Sequence, residues 1–431
     1  MSEMQRTPIP EPGGLGAWAA GWRNFGDDLS RRLWLLQSGA LCAEARRRTG
    51  LEDLGEPPIE PAASILTNSL EGQADLHPVG RFLMWIHLRE LLETRLRVVR
   101  AWSGMSEALE GSHVQRPVFI TGMPRSGSTF LHELMAEDPK NRAPRVWEVM
   151  FPISAHSGSP READRWVRKA EISLWWFRRL APRADWVYPM RARTPHECVA
   201  IHSYTLLSEE FASTCRIPTY EAFLRSTDLV PTYSWQKRFL QYLQLRCQPR
   251  QWVLKSPDHV RGLAYLFAVF PDAVIVQTHR DPLDVLRSSV QLAEVLEGLF
   301  TRVGDRGETG LREARTLAGG MQSMMSFRES HPKLAGRFID VNYEDLVTNP
   351  LPVMQRIYRQ LDMPLTEVTA ERMQRLALTR SPYRGRRANP SLADLGLDES
   401  VERRRFEAYC SRFGIRSSSL NLRRPEAIET P

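Results

Sequence analysis

The sequence predicts an α/β fold in which a P-loop-like central parallel β-sheet is flanked by helices and preceded by an N-terminal helical segment. Short runs rich in β-branched residues each lie beside a stretch with helical spacing, which is typical of βαβ units. The first of these runs leads into a glycine-containing turn that opens a helix. Before it, apolar residues three and four positions apart, such as Leu88, Leu91 and Leu92, indicate helices.

The strands can be placed in order along the chain. PVFITG has the length and the β-branched content of a buried strand, and a helix is expected directly after it, at 129–136. Residues 151–250 give only tryptophan- and arginine-rich helical patterns with loops. The predicted strands are 117–122, 251–254, 273–278 and 338–342.

These patterns divide the chain into four parts. The proline- and glycine-containing start is expected to be a flexible tail, and the residues after the last helical pattern are expected to fray. The predicted parts are a tail at 1–15, an N-terminal helical segment packed on the core at 16–115, an α/β domain at 116–415 and a C-terminal tail at 416–431.

The composition is that of a soluble globular protein, with 42% hydrophobic and 25% charged residues among 431. No apolar run is long enough to span a bilayer, and no basic run has the length of a nucleic-acid patch, although the net charge is +7. We therefore expect no integral membrane association and no nucleic-acid partner. The scattered cysteines indicate reduced thiols and a cytoplasmic location rather than a disulfide framework or a zinc site: Cys42, Cys198, Cys215, Cys247 and Cys410.

The turn after the first predicted strand is suited to an anion. A strand–turn–helix arrangement directs unpaired backbone N–H groups and the positive end of the helix dipole to one point. Gly122 and Gly127 let the backbone approach a phosphate closely, and Arg125 adds a charged fork. Hydroxyl donors come from Ser126, Ser128 and Thr129.

The loop differs from the ordinary P-loop in one position. The motif G-x-x-x-x-G-K-S/T places a lysine after its second glycine, whereas this chain has Ser128 there. The substitution weakens, without removing, the alternative of a nucleoside-triphosphate-dependent kinase or ATPase. A non-catalytic protein that binds an anionic ligand is a third alternative, and a structural glycine turn without any ligand is the simplest one.

Two further basic residues are predicted at strand ends. Arg280 precedes Asp281 and Pro282, which suit the N-cap and first position of a helix, and Ser288 follows eight residues after Arg280. Lys255 ends the preceding predicted strand, and a buried ammonium without a function is costly. Open α/β sheets bind ligands at such carboxyl ends.

The segment PVFITGMPRSGSTFLHELMAEDP resembles the 5′-phosphosulfate-binding loop of sulfotransferases that use 3′-phosphoadenosine-5′-phosphosulfate (PAPS). It is most similar to bacterial members related to tyrosylprotein sulfotransferase, and the resemblance extends over about 51–413. It implies transfer of a sulfuryl group from PAPS to a hydroxyl or amine, without a metal. The residues it implies for the 5′-phosphate and the sulfate are Arg125, Ser126, Gly127, Ser128 and Thr129.

The resemblance also assigns the second signature. T-x-R-D-P followed by a serine matches the family's 3′-phosphate site, which implies that Arg280 and Ser288 bind that phosphate and distinguish PAPS from ATP. Lys255 matches the lysine of the family's K-S-P segment, which stabilises charge at the transferring group. The resemblance thus implies that Arg125 and Lys255 are catalytic residues.

Three residues are candidates for the general base. Glu148 in APRVWE resembles the family's P-x-x-W-E glutamate and is the first choice. Glu197 and His196 in the segment TPHE are the alternatives, because bacterial relatives often carry P-x-E there. A glutamate would need a pKa raised by burial to act near neutral pH.

The remaining expectations concern the acceptor and the C-terminal part. YEDL at 343–346 is predicted to serve packing and capping, and an arginine among Arg384, Arg386 and Arg387 to close over the nucleotide. Pro390 and Leu395 depart from the family's closing element, Y-S-L-x-D-F-G-L. The acceptor is expected to be a small or lipid-like molecule. Core packing explains the following aromatic residues as well as an acceptor pocket does: Trp175, Trp176, Phe177, Trp186 and Tyr188.

Overall fold

The computed structural model describes residues 27–157, 160–180, 190–245, 251–302, 304–380 and 390–415. Its centre is a sheet of five strands in the order β2-β3-β1-β4-β5, and every neighbouring pair is parallel. The strands are β1 Val118–Gly122, β2 Asn141–Arg142, β3 Gln251–Lys255, β4 Val274–His279 and β5 Phe338–Asn342.

The predicted α/β class with a parallel sheet is therefore confirmed. Strands β1, β3, β4 and β5 correspond to the four predicted strands, with ends that differ by one residue at most. Strand β2 was missed because it has only two residues and pairs with β3 alone, so the local sequence carries no strand pattern.

The strand order brings three chain segments together at one edge of the sheet. Strand β1 lies between β3 and β4, with Ile120 opposite Lys255 and Gly122 opposite Thr278. Because all strands are parallel, the loops after β1, β3 and β4 leave from the same edge. This edge is where open α/β sheets bind ligands.

Side chains of β1 alternate between two apolar layers. Phe119 lies in the larger layer, which also contains side chains of the helices that precede the sheet. Val118 and Ile120 lie in a smaller layer with apolar side chains of the helix after β1 and of the helices after β5. The helices before the sheet are α1 Asp27–Leu33, α2 Ser38–Thr49, α3 Glu60–Gly72, α4 Pro78–Ser103 and α5 Ser106–Glu110.

Helices fill the connections between the strands. Short 3-10 turns occur at Ser203–Thr205, Pro332–Arg337 and Ala393–Leu395. Between β1 and β3 lie α6 Ser128–Ala136, α7 Val146–Met150, α8 Pro152–Ser157, α9 Pro160–Leu180, α10 Cys198–His202, α11 Glu209–Thr214, α12 Pro218–Ser226 and α13 Val230–Gln244. After β3 come α14 His259–Val269, α15 Pro282–Glu297, α16 Arg306–Ser330, α17 Tyr343–Thr348, α18 Pro350–Gln360, α19 Glu367–Arg380 and α20 Glu399–Phe413.

A buried arginine joins the N-terminal helices to the rest of the larger layer. Arg95 of α4 is fully buried, and its guanidinium lies over the ring of Trp235 at 4.3 Å. It donates hydrogen bonds to the carbonyls of Leu54 at 2.6 Å, of Gly55 at 3.0 Å, of Pro57 at 2.5 Å and of Tyr204 at 2.8 Å. Burial lowers the pKa of Arg95 to about 9. The four carbonyls fix the connector between α2 and α3 against the segment after α10.

Candidate active site

The loop after β1 has a backbone that its sequence makes possible. Gly122, Arg125 and Gly127 all have positive φ, at 145°, 65° and 89°. A Cβ on Gly127 would lie 2.9 Å from the Tyr343 ring, and one on Gly122 would collide with Thr278. Both glycines are therefore required by conformation and by space.

The hydroxyl of Ser126 holds this loop together. Ser126 is fully buried, and its Oγ donates to the carbonyl of Met123 at 2.5 Å and lies 2.7 Å from Oγ1 of Thr278. Thr278 in turn donates to the carbonyl of Thr121 at 3.2 Å. The loop is thus fastened to β4 by side-chain hydrogen bonds.

The loop ends in the N-terminus of α6. Gly127 is the N-cap and provides no side-chain oxygen to the first-turn N–H groups, so those of Ser128 and Thr129 remain available to an anion. Ser128 is buried, whereas Thr129 is exposed, and its Oγ1 accepts a hydrogen bond from Lys255 Nζ at 2.9 Å. The predicted loop residues therefore form one continuous cradle.

The second predicted anion site touches this loop directly. Arg280 Nη1 donates to the carbonyl of Arg125 at 2.8 Å, and Arg125 Nε donates to Ser288 Oγ at 3.0 Å. Burial and the neighbouring Arg280 guanidinium lower the pKa of Arg125. Two guanidiniums held side by side attract an anion that carries more than one negative charge.

The surroundings of Arg280 leave it able to bind a ligand. Its Nε is buried without a hydrogen-bond partner, and no carboxylate lies within ion-pair distance of it in the part of the chain that the structure describes. Its guanidinium lies over the Tyr343 ring at 4.2 Å, the same ring that borders Gly127. Tyr343 therefore borders both predicted anion sites, a role that the predicted packing of YEDL did not specify.

Lys255 lies at the sheet edge between the loop and a glutamate. It is only 1% exposed, and its ammonium donates to a carboxylate oxygen of Glu197 as well as to Thr129. Glu197 is the N-cap residue of α10 and is partly buried. One of the three base candidates, Glu197, is thus linked through Lys255 to Thr129, at the end of the loop after β1.

Glu148 makes a different set of contacts. It is 6% exposed, one carboxylate oxygen accepts from the Arg142 guanidinium, and the other accepts from the backbone N–H of Arg145 at 2.8 Å. This N–H belongs to the N-cap residue of α7, so Glu148 forms half of a capping box. Both oxygens are engaged in holding α7.

His196 lies where the segment that contains Glu148 and the segment that contains Glu197 run side by side. Its backbone N–H donates to the carbonyl of Pro144 at 2.8 Å, and the backbone N–H of Val146 donates to the carbonyl of Thr194 at 3.1 Å. Burial lowers the pKa of His196, although Glu197 opposes this, and Nδ1 has no hydrogen-bond partner. The imidazole is therefore neutral near pH 7.

A buried polar cluster supports the loop after Lys255. Tyr233 OH and His259 Nδ1 are 2.8 Å apart, and the side chain of His202 lies 3.4 Å from that of Asp258. Although burial raises the pKa of Asp258, the hydrogen bond to His202 and the charge of His259 hold it below its usual range. The sequence analysis missed this cluster, although Asp258 and His259 directly follow the K-S-P segment that begins at Lys255.

Some predicted residues are not described by the structure, and others are exposed on its surface. Arg384, Arg386 and Arg387 fall outside the described residues, as do Trp186 and Tyr188. Trp175 and Trp176 are exposed, so neither core packing nor an enclosed pocket accounts for them. In the described residues no cluster of histidine, cysteine, aspartate or glutamate could hold a metal, and no helix is long and apolar enough to cross a bilayer.

The chain is similar in sequence and in fold to known sulfotransferases. The omega-hydroxy-beta-dihydromenaquinone-9 sulfotransferase Stf3 of Mycobacterium tuberculosis (strain CDC 1551 / Oshkosh) is 23% identical over 291 residues, which cover 62% of this chain and 68% of Stf3. The crystal structure of sulfotransferase STF1 from Mycobacterium tuberculosis H37Rv superposes with a TM-score of 0.75 at 27% identity, covering 86% of this chain and 98% of STF1.

A second crystal structure, of sulfotransferase STF9 from Mycobacterium avium, has the same TM-score of 0.75 at 25% identity and covers 89% of this chain and 98% of STF9. A sequence model of the sulfotransferase family matches residues 117–367, more than half of the chain, and this range contains β1 to β5 and both predicted anion sites. The chain therefore belongs to the sulfotransferase family.

Proposed function

We propose that the protein transfers a sulfuryl group from PAPS to a hydroxyl or amine of an acceptor by in-line displacement. The observation that carries this proposal is the direct contact between two anion sites, in which Arg280 bonds to the Arg125 carbonyl and Arg125 bonds to Ser288. A nucleotide with phosphates at both its 5′ and 3′ positions matches two neighbouring cationic sites better than a nucleotide with a single chain of phosphates.

The residues divide between the two ends of such a nucleotide. The N-terminus of α6, with Ser128 and Thr129, would hold the 5′-phosphosulfate, because its N–H groups and dipole favour an anion. Arg280 and Ser288 would bind the 3′-phosphate, and the buried, unpartnered Nε of Arg280 fits that use. PAPS supplies the activated sulfuryl group when it is bound.

Lys255 is proposed to stabilise the charge that develops on the leaving oxygen. It is buried beside Thr129 at the start of α6, where water screens a charge poorly. As a new bond to sulfur forms, the bond between sulfur and the 5′-phosphate oxygen breaks and the electron pair remains on that oxygen. Lys255 and the first turn of α6 face this negative charge together.

Glu197 is proposed as the general base that accepts the acceptor's proton. Its carboxylate is held by Lys255, which also contacts the loop, whereas both oxygens of Glu148 are used in capping α7 and pairing with Arg142. Neutral His196 directly before it is the alternative proton acceptor. Glu148 as the base stays a prediction that the variants described in the Discussion test.

The acceptor is proposed to be a lipid-like alcohol. Stf3 is named for a hydroxylated menaquinone derivative, an apolar molecule with one terminal hydroxyl. This similarity supports an acceptor of the same chemical class, although it does not specify the same compound. Extracted lipids are therefore the first acceptors to assay.

Binding and transfer experiments test the proposal together. Calorimetry compares PAPS with ATP and magnesium, and radiolabelled PAPS is incubated with a lipid extract whose products are analysed by mass spectrometry. We expect tighter binding of PAPS and a sulfated lipid product. Tighter binding of ATP with magnesium would favour the kinase or ATPase alternative, and PAPS binding without any labelled product would favour the non-catalytic one.

A further inference from the structure

Helix α9, Pro160–Leu180, has one face packed on the protein. Val167, Ala170 and Leu174 are buried in a small apolar cluster with Trp147 of α7 and Ala192. Glu171 at the edge of this face accepts a hydrogen bond from the N–H of Ala192 at 2.6 Å. The helix is therefore fixed in place, and its other face is turned to solvent.

The solvent-facing side carries large apolar residues between arginines. Ile172 is 60% exposed, Trp175 49% and Trp176 57%, and the two indole rings contact each other with their centroids 4.8 Å apart. With about 100° per residue, seven exposed side chains fall within an arc of about 100°. This stripe consists of Arg161, Arg165, Arg168, Ile172, Trp175, Trp176 and Arg179.

The stripe has charges of one sign only. None of its four arginines pairs with an acidic side chain among the residues that the structure describes, and the acidic residues of α9 lie outside the arc. Asp164 pairs with Arg193 at 2.5 Å and Glu171 with Arg178 at 3.6 Å, both beside the stripe. The exposed face is thus strongly cationic and apolar at once.

We propose that this stripe docks the protein onto an anionic phospholipid surface, with α9 lying in the plane of the interface. Tryptophan prefers the boundary between headgroups and acyl chains, and arginines beside it pair with lipid phosphates. A second copy of the chain is a poorer partner, because two such stripes facing each other would bring eight like charges together. The proposal goes beyond sulfuryl transfer and does not depend on it.

Because of the position of α9, a membrane docked at the stripe would lie close to the candidate active site. Its buried side packs on α7, which carries Glu148, and on Ala192, shortly before His196 and Glu197. A membrane bound at the stripe would therefore lie next to the segments that border the candidate site. Acceptors dissolved in the bilayer would be concentrated beside the protein.

Vesicle flotation tests the stripe in the full-length protein. The vesicles contain phosphatidylcholine alone or phosphatidylcholine with phosphatidylglycerol, and the variants are Trp175→Ala with Trp176→Ala, and Arg165→Gln with Arg168→Gln. We expect wild type to float with the anionic vesicles only, and less at high salt. The arginine changes should weaken binding roughly fivefold for each charge removed, and the tryptophan pair roughly tenfold or more.

Matched changes on α19 control for general surface effects. Leu378 is 76% exposed, and Arg372 and Arg375 are exposed on the same helix. Leu378→Ala and the pair Arg372→Gln with Arg375→Gln should float like wild type, and circular dichroism verifies the fold of every variant. Equal flotation of the stripe variants and wild type, or no binding of wild type to anionic vesicles, contradicts the proposal. A dimer that the tryptophan changes dissociate, without vesicle binding, would assign the stripe to a second copy instead.

Discussion

At the scale of single residues, Arg280 is where the proposed nucleotide specificity resides. It reaches from the end of β4 to the loop after β1, and its Nε is buried without a partner. An arginine held in this way, over the Tyr343 ring, has a fixed orientation before a ligand binds. Fixed donors lose less entropy on binding than mobile ones.

Replacing Arg280 with alanine should remove the preference for a 3′-phosphate. Wild type should bind PAPS more tightly than adenosine 5′-phosphosulfate, which lacks that phosphate, by roughly 100-fold because a charge-assisted contact is lost. In Arg280→Ala the two affinities should become similar, as measured by calorimetry.

The control for this change is Arg287→Ala on α15, where Arg287 pairs with Asp284 at 3.1 Å outside the loop. It should keep the wild-type preference. An Arg280→Ala protein that still prefers PAPS would place the 3′-phosphate elsewhere.

The two glutamates should behave differently when each is changed to glutamine. Glu197→Gln should lower kcat roughly 100-fold or more while PAPS binding changes little, because the proton acceptor is lost. Glu148→Gln should keep kcat within a few fold but reduce the free energy of unfolding by about 1–2 kcal/mol, since it weakens a capping box and an ion pair.

Steady-state kinetics and urea titration of both variants separate these outcomes. The reverse result, with turnover lost only in Glu148→Gln, would return the base to the residue that the family pattern favours. If both variants turn over normally, His196 becomes the candidate.

At the scale of elements, Arg95 links the N-terminal helices to the rest of the protein. Its four hydrogen bonds go to carbonyls that are far apart in the sequence, at 54–57 and 204. Arg95→Met keeps much of the apolar volume but leaves these carbonyls without donors. We expect the free energy of unfolding to fall by about 3 kcal/mol, measured by urea titration.

Arg100→Met provides the comparison on the same helix, because Arg100 is exposed in the last turn of α4. It should change stability by less than about 0.5 kcal/mol. Equal stability of Arg95→Met and wild type would show that the buried guanidinium does not hold the two parts together.

At the scale of the whole molecule, buried neutral histidines should make stability depend on pH. Burial lowers the pKa of His132 from 6.5 to about 3, with the charge of Lys255 adding to it, and burial lowers that of His259 to about 4 despite Asp258. Between pH 6.5 and about 4 the unfolded chain takes up these protons and the folded one does not. The free energy of unfolding should therefore decrease as pH falls, by about 1.4 kcal/mol per pH unit for each such histidine.

Urea titrations at about pH 7 and about pH 5 measure this dependence. His132→Gln should reduce this dependence and leave the part due to His259, and glutamine can still donate to the Val253 carbonyl that lies 3.1 Å from His132 Nε2. His331→Gln, at an exposed position, should leave it unchanged. Stability that rises on acidification would contradict the burial of neutral histidines.

The prediction from sequence succeeded where the signal is local. Strands β1, β3, β4 and β5 carry apolar, β-branched runs beside helical patterns, and the N-cap role of Asp281 follows from Asp-Pro. It was less informative between 151 and 250, where it indicated only tryptophan- and arginine-rich helical patterns and no helix bounds. Trp175 and Trp176 illustrate this, since sequence reasoning offered a pocket or a core and both are on the surface.

The shape of the loop after β1 follows from local sequence, because Gly122, Gly127 and the residues between them impose a backbone that few other sequences can adopt. The sequence also determined which residues end the strands, and therefore that Lys255 and Arg280 would meet that loop once the strands pair in parallel. Two contacts depend on how the chain packs: that of Glu197 with Lys255, and that of Tyr343 with both predicted anion sites. Those contacts join residues that are far apart in the chain, and no local sequence pattern specifies which distant residues come into contact.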